Sequence, residues 1–307
     1  MKPNILVVGS LNADLVQRVE RLPRPGETLT GSELQIVSGG KGANQAYAAA
    51  LLGARVCMAG KVGSDPFGSL LVENLQQAGV DVSFVKTAEG ATGTAGIFVL
   101  PSGENVIILS PGANGKLIAR DIEPALAELS EGSILLAQLE VPIATTEFAL
   151  RKARACRAIT MLDPAPAQQL PASLLELADF LTPNQTEAAL LLGGNADIVS
   201  YEDAEAAGRR LIEMGARTVI LKLGPLGVVI VSAGESLRIP GFRVDAVDTT
   251  AAGDVFNAAF AVALGESKPL AEAARFANAA GAISVTRTGA QSSIPKRKEV
   301  EEFLAQA

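Results

Sequence analysis

Short apolar runs alternate with longer amphipathic stretches along most of the chain. The first, Asn4-Ile5-Leu6-Val7-Val8-Gly9-Ser10, is apolar on both alternating sets of positions, as a strand buried on two faces must be. Similar runs predict strands over 54–60, 133–139, 158–163, 218–223 and 228–232, with a shorter apolar stretch at Ala178–Leu181. A further alternating segment, 241–247, reads as a strand feeding the helix over 252–264. Apolar periodicity near 3.6 predicts other helices over 66–78 (capped at Ser64 or Asp65), about 118–129, 142–155, 202–215 and 270–285, with a last one at the C-terminus. Strand-helix repetition of this kind implies an α/β fold whose mainly parallel sheet is covered on both faces.

Two stretches leave that rhythm. Residues 15–38 are broken by Pro23, Pro25 and Gly26 into short pieces such as Thr28-Leu29-Thr30 and Leu34-Gln35-Ile36-Val37. Within 92–112, two alternating runs, 94–100 and 105–109, flank the turn Pro101-Ser102-Gly103-Glu104 and read as a hairpin. Together they predict a small β lid inserted into one α/β unit that spans 1–307.

The breaks between elements hold the candidate chemistry. Asp248-Thr249-Thr250-Ala251-Ala252-Gly253-Asp254 is a small-residue turn running into an apolar helix. Backbone N–H groups at a helix start are unpaired and partly positive, and Ala-Ala-Gly lets an anion come close. Asp254 has two readings there: a helix cap, or a general base beside donors that hold the charge of a transferred phosphoryl group. Ser38-Gly39-Gly40-Lys41-Gly42-Ala43-Asn44-Gln45-Ala46 is a second glycine-rich turn, ahead of a helix-like Tyr47–Leu52 and a stop at Gly53. It is neither a Walker A loop nor Gly-x-Gly-x-x-Gly.

Carboxylates and amides collect where strands end, the side on which open α/β sheets bind ligands. Asn12 and Asp14 follow the first strand, either holding hydroxyls or forming an Asx turn. Glu140 follows 133–139, and Asp163-Pro164-Ala165-Pro166 closes 158–163. In Thr182-Pro183-Asn184-Gln185-Thr186-Glu187, Glu187 is a capping-box partner or a magnesium or phosphate-water ligand. Gly224-Pro225-Leu226-Gly227 is a tight hairpin or the border of a nucleotide.

Composition narrows the field. With 307 residues, 48% hydrophobic and 19% charged, the chain can build one large core. A net charge of -7 argues against a nucleic-acid surface and leaves phosphate binding to local donors or a metal. There is no histidine, which excludes Ser-His-Asp and Cys-His schemes and most zinc sites. Two cysteines, Cys57 and Cys156, exclude a disulfide framework and fit a reduced cytoplasm. The run from Ile5 to Leu11 is too short for a membrane span and lacks a cleavage pattern, so neither membrane nor leader is expected.

The two glycine-rich turns, in this order and spacing, resemble the paired signatures of the PfkB carbohydrate kinases, and within that family its ribokinase branch. The likeness extends to Gly9-Ser10-Leu11-Asn12-Ala13-Asp14, Pro25-Gly26-Glu27-Thr28, Gln138-Leu139-Glu140, Asp163-Pro164-Ala165-Pro166 and Thr182 through Glu187. It implies a ribokinase-like three-layer α/β/α sandwich whose β lid also forms a homodimer interface. The implied reaction moves the γ-phosphoryl group of ATP to the hydroxymethyl oxygen of a pentose, ribose in the first place. By the same resemblance Asp254 is the base, and Ala251-Ala252-Gly253 form the anion hole through the Ala252 and Gly253 N–H groups. Asn12, Asp14, Gly40, Lys41, Asn44 and Glu140 hold the sugar. Asn184 and Glu187 serve the phosphates and Mg²⁺, while Lys222, Gly224, Gly227 and Asn278 border the nucleotide. Asp248, Thr250, Ser284, Arg287, Gly289 and Ser293 surround a monovalent cation, K⁺, the alternative being that Asp248 merely caps the turn. Lys222, Asn278 and Asp163 depart from the ribokinase pattern, in which a small hydroxyl residue is common at the first position, a histidine can occur at the second and an asparagine is frequent at the third.

Other readings are a kinase of the same family for 2-deoxyribose, a ketose or a nucleoside, and a non-catalytic sugar sensor on the same fold. With 4% aromatic residues the chain offers little stacking surface for a nucleoside. A dinucleotide oxidoreductase fails because no Gly-x-Gly-x-x-Gly follows the first strand.

Overall fold

The computed structural model describes residues 2–101, 105–194 and 196–307, so Ser102-Gly103-Glu104 of the expected hairpin turn lie outside the described residues. In chain order the first elements are β1 (Asn4–Val8), β2 (Asn12–Arg18), β3 (Gln35–Gly39), α1 (Lys41–Leu51), β4 (Arg55–Gly63), α2 (Pro66–Gln77), β5 (Asp81–Ala88), β6 (Gly93–Val99) and β7 (Asn105–Ser110). The middle third holds α3 (Ala119–Leu126), β8 (Ile134–Ala137), α4 (Ile143–Ala155), β9 (Ile159–Leu162), α5 (Ala172–Leu175), β10 (Phe180–Leu181), α6 (Gln185–Leu191) and α7 (Tyr201–Glu213). The remainder is β11 (Thr218–Lys222), β12 (Gly227–Ser232), β13 (Glu235–Pro240), α8 (Ala252–Gly265), α9 (Leu270–Val285) and α10 (Arg297–Gln306).

Nine strands form one sheet in the order β13-β12-β11-β10-β9-β8-β1-β4-β5. All run parallel except β12, which pairs antiparallel with both neighbours. Alternation within each strand divides the interior into two layers. Ile5, Val7, Ile134, Leu136, Ile220, Val228 and Ile230 pack with α1, α8 and α9, while Leu6, Val8, Leu135, Ala137, Val219, Leu221, Val229 and Val231 pack with α4 and α7. The three-layer α/β/α architecture follows directly from those double-sided apolar strands.

The second sheet, β3-β2-β6-β7, is the lid. It begins earlier in the chain than the sequence suggests. Asn12 and Asp14 sit on β2, paired with Gly39 and Val37 of β3 and with Gly93 and Ala95 of β6, rather than in an Asx turn. Thr28–Thr30 form no strand.

Other differences have local causes. Segment 241–247 is not a strand: its ladder position is taken by Glu235–Pro240, which pairs with β12. Phe242 packs edge-on against Phe303 of α10 at 5.1 Å between ring centroids, and the consecutive residues 241–244 line a cavity. Strands β5 and β13 were not expected, because as sheet edges they carry mixed polar residues. Helix α1 begins at Lys41, well before Tyr47, because Gly40 adopts φ 90° as its N-cap. A Cβ on Gly40 would meet the Asn12 nitrogen at 2.7 Å, so the turn has room only for glycine. Among the described residues no helix is long and apolar enough to cross a membrane.

Candidate active site

A cavity of about 780 Å³ opens beyond the C-terminal ends of the central strands. Its lining joins residues far apart in sequence: Lys41, Asp163, Asn184, Glu187, Lys222, Gly224, Gly227, Gly253, Asp254 and Asn278. A smaller one of about 340 Å³, lined by Asn12, Asn114, Glu140 and Leu109, lies under the lid.

Asp254 sits in the first turn of α8 but does not cap it. The N-cap is Ala251, left-handed at φ 59°, and it offers no side-chain cap. The Asp254 carboxylate is instead gripped from α1, its Oδ2 accepting from Asn44 Nδ2 at 3.0 Å and its Oδ1 from Gln45 Nε2 at 3.1 Å. Burial raises its pKa to about 6; the Lys41 ammonium and the two amides oppose the rise, and the Asp163 carboxylate adds to it. A carboxylate so tuned can ionise near neutrality and accept a proton.

The open helix start lies next to it. Ala252 N–H is bonded to the Thr249 carbonyl at 3.2 Å, whereas Gly253 and Asp254 N–H have no acceptor among the described residues. The available donor pair is therefore Gly253 and Asp254, one residue along from the expected Ala252 and Gly253. Lys41 enters the same space. Burial would lower its ammonium, but Asp254, Asp163, Glu140 and Glu187 outweigh that and hold it above the ordinary lysine value.

The sugar-side candidates converge under the lid. Glu140 Oε2 accepts from the Ser10 hydroxyl (2.5 Å), the Asn12 amide (3.2 Å) and the Lys41 backbone N–H (3.2 Å). Asn114 Nδ2 donates to Asn12 Oδ1 at 2.7 Å and fixes that amide's orientation. Asp14 is 8% exposed, and its carboxylate has no side-chain donor among the described residues. Burial, then the charges of Glu140 and Asp254, push its pKa to about 7. A Cβ on Gly39 would lie 2.1 Å from Asp14 Oδ2, so the glycine makes room for the carboxylate.

On the nucleotide side, Asn184 and Glu187 form the capping box of α6, with Asn184 Oδ1 accepting from Glu187 N–H (2.8 Å) and Glu187 Oε2 from Asn184 N–H (2.7 Å). Both still line the large cavity, and burial raises the Glu187 pKa despite nearby Lys222. Gly224 (φ 55°) and Gly227 (φ 95°) bound the turn of the β11–β12 hairpin, so the hairpin and cavity-border readings coexist. Asn278 Nδ2 donates to the Pro240 carbonyl at 3.1 Å.

The proposed cation residues assemble in part. Asp248 Oδ1 accepts from Thr250 N–H (2.9 Å) and hydroxyl (2.6 Å), and its Oδ2 from Gly289 N–H (2.8 Å). Burial opposes its charge, but these bonds prevail and keep its pKa low. The Ser284 and Ser293 hydroxyls turn back onto the Gly281 and Ala290 carbonyls, and Arg287 pairs with Glu299. For these three, the side chains are committed elsewhere.

Sequence reading assigned no part to Gln45, Gln138, Gln291 or Asn114, nor a catalytic one to Asp163. Gln45 Nε2 donates to both Asp254 and Asp163 (3.1 Å each), while its Oε1 accepts from Gln138 Nε2 at 2.7 Å. Gln291 Nε2 donates to Asn44 Oδ1 at 3.1 Å. The sole local signal was the Asn44-Gln45 pair inside a glycine-rich turn.

The family model for pfkB family carbohydrate kinases matches residues 2–297. A ribokinase of Haemophilus influenzae is 45% identical over 308 aligned residues that cover all of both chains. The crystal structure of a Thermotoga maritima ribokinase superposes with a TM-score of 0.88 at 43% identity, covering 99% of each chain. A structure of Arabidopsis thaliana ribokinase complexed with ribose and ATP superposes with a TM-score of 0.90 at 35% identity, again covering 99% of each.

Proposed function

The chain belongs to the pfkB family of carbohydrate kinases, and we propose that it transfers the γ-phosphoryl group of ATP to the hydroxymethyl oxygen of ribose, giving ribose 5-phosphate. One observation carries the reading: the buried carboxylate of Asp254, its pKa raised, is held by two amide donors at a helix start whose Gly253 and Asp254 N–H groups have no acceptor among the described residues, in a cavity that Lys41 also lines.

In the reaction, Asn12, Asp14 and Glu140 bind the sugar hydroxyls with Gly40, Lys41 and Asn44 around them, and the hydroxymethyl group points at Asp254. Asp254 takes the hydroxyl proton as the sugar oxygen bonds to Pγ. The bond from Pγ to the β–γ bridging oxygen breaks, and ADP leaves with that electron pair. Gly253 and Asp254 N–H groups and the Lys41 ammonium hold charge on the transferring group, where positioning and electrostatics supply most of the catalysis. Glu187 and Asn184 would provide the oxygen ligands or water contacts for Mg²⁺, which would supply charge neutralisation at the ATP phosphates. Gly224, Gly227 and Asn278 border the adenosine end.

For K⁺, the Asp248 carboxylate, tied to the following loop through Gly289 N–H, would act with backbone carbonyls of the 284–293 loop. Among the described residues no group of three or more Cys, Asp or Glu could hold a metal by itself. The chain acts as one kinase unit in the cytoplasm, as a homodimer through the lid. Ile36 and Ile108 support the dimer, since both stand on the lid face opposite Asp14 and are 47% and 65% exposed.

An ADP-release assay over a sugar panel tests the reading. Ribose-dependent ADP formation with product phosphorylated on the terminal carbon is expected. No sugar-dependent ADP overturns it, and higher kcat/KM for 2-deoxyribose reassigns the substrate.

A further inference from the structure

Lys222 ends β11 and reaches into the large cavity, its side chain 12% exposed. Its Nζ lies 3.3 Å from Asp163 Oδ1, and Asp163 is 3% exposed. The other Asp163 oxygen accepts from Gln45 Nε2, the same nitrogen that donates to Asp254. A continuous path therefore runs from the Lys222 ammonium through Asp163 and Gln45 to Asp254. The ammonium also stands at the open start of α8: a Cβ placed on Gly253 would lie 3.4 Å from Nζ. Two ammonium groups, Lys41 and Lys222, and the positive end of a helix thus crowd one corner of the cavity. The Asp163, Asp254 and Glu187 carboxylates balance these ammonium groups at rest, and the spare ammonium N–H donors together with the helix start can receive an anionic oxygen.

We infer that Lys222 is a phosphate-contacting catalytic residue and that Asp163 is its positioning residue, tethering the ammonium beside the phosphoryl group that crosses from nucleotide to sugar. This rests on the kinase reading above. Lysine has three N–H donors, so one can stay on Asp163 while others reach phosphate oxygens. Gln45, held on its far side by Gln138, keeps the tether in register with the base.

The ion pair has a purely structural alternative, and a double variant separates the two. Lys222→Met alone should lower kcat about 10-fold or more with the ribose KM little changed, and weaken ATP binding while leaving AMP binding as it is. Asp163→Asn keeps an acceptor for Gln45, so it should raise the KM for ATP with a smaller loss in kcat. In Lys222→Met with Asp163→Asn, neither buried charge is stranded, which protects folding. That double variant should remain as slow as Lys222→Met, and Lys222→Arg should recover part of the rate. Wild-type kcat in Lys222→Met, recovery of the double variant to wild-type rate, or equal weakening of ATP and AMP in calorimetry would overturn the inference. A wild-type protein that forms no ribose-dependent ADP is instead a failure of the kinase reading itself.

Discussion

The N-termini of α1 and α8 meet at Asp254, and they are finished in opposite ways. Neither has a side-chain N-cap. At α1 the protein supplies the missing acceptors: Lys41 N–H goes to Glu140 Oε2, Gly42 N–H to the Ser10 hydroxyl at 3.4 Å and Ala43 N–H to the Ser10 carbonyl at 2.9 Å. At α8 the Gly253 and Asp254 N–H groups are left without one among the described residues. A left-handed alanine at the cap, itself costing about 1 kcal/mol, holds that end open. A helix start becomes an anion site where the protein withholds its own oxygens. In the proposed reaction, Glu140, the carboxylate that fills the α1 start, would face the sugar, and the open α8 start would take the phosphate.

The sharpest way to break this contrast is to remove the base from the open end. Asp254→Asn keeps the shape and one acceptor, and kcat should fall by roughly 100-fold or more, the scale of general-base loss. Near wild-type kcat in the folded variant would sink the assignment. Stability should move the other way. The folded-state pKa of about 6 lies above the ordinary 3.8, so the native state binds the extra proton between those values and loses stability as pH rises through them. Above pH 6 the whole penalty is present, and the neutral side chain relieves it. A thermal melt at pH 8 should show Asp254→Asn more stable than wild type, and a lower Tm would contradict the burial argument.

The filled end should respond in KM. Asp14 sits beside Gly39 ahead of α1, and Asp14→Ala would leave two sugar hydroxyls unpaired at about 1–3 kcal/mol. The KM for ribose should rise about 10- to 100-fold with the KM for ATP nearly constant. Calorimetry that finds both ligands weakened equally would assign Asp14 a structural role.

A third, smaller effect lies in pH. Asp254 and Asp14 are raised to about 6 and about 7, and both act ionised, so kcat/KM should fall on the acid side with apparent pKa values of 6 to 7 belonging to the coupled pair. Below that limb the rate should drop about 10-fold or more per pH unit. An acid limb near pH 4, where ordinary aspartates titrate, would show that the burial of this corner does not tune the reaction.

The α/β body was legible because its strands are buried on both faces, and short β-branched runs such as Ile5-Leu6-Val7-Val8 and Val228-Val229-Ile230-Val231, bounded by glycines or polar residues, point to strands. Edges were not. β5 and β13 lie largely exposed at the sheet edges, and 241–247 alternates in sequence yet forms no strand. The open helix start with Asp254 was readable from Ala-Ala-Gly-Asp ahead of an apolar helix. The amides that orient it were not, since Gln45, Gln138 and Gln291 act through contacts between distant segments, up to 247 residues apart for Gln291 and Asn44. An amide carries no local pattern that announces such a partner. The Lys222–Asp163 pair is similar: each residue was noticed alone, and only the adjacency of β9, β10 and β11 brings them within 3.3 Å.

The open end is kept in shape by the turn that precedes it. Asp248 fastens the turn before α8, through Thr250, to Gly289 of the following loop. Ala251, in its left-handed conformation, and the unpaired N–H groups come immediately after, so movement of this turn would misplace both donors. A monovalent cation held by Asp248 and loop carbonyls would add to that fastening. A large, weakly hydrated ion such as K⁺ suits a carbonyl-rich cage, whereas Mg²⁺ demands tight octahedral geometry and retains its water. The filled α1 start needs no such support, because Glu140 and Ser10 already hold it. Replacing a bulky organic cation by K⁺ at constant ionic strength should therefore raise kcat by a few-fold, through better placed donors in the transition state, with the KM for ribose little altered. Asp248→Asn should reduce the response to K⁺ more than it reduces the rate without K⁺. Identical kcat and KM with and without K⁺, at saturating Mg²⁺ and ATP, would leave Asp248 as a turn cap and the open helix start as self-supporting.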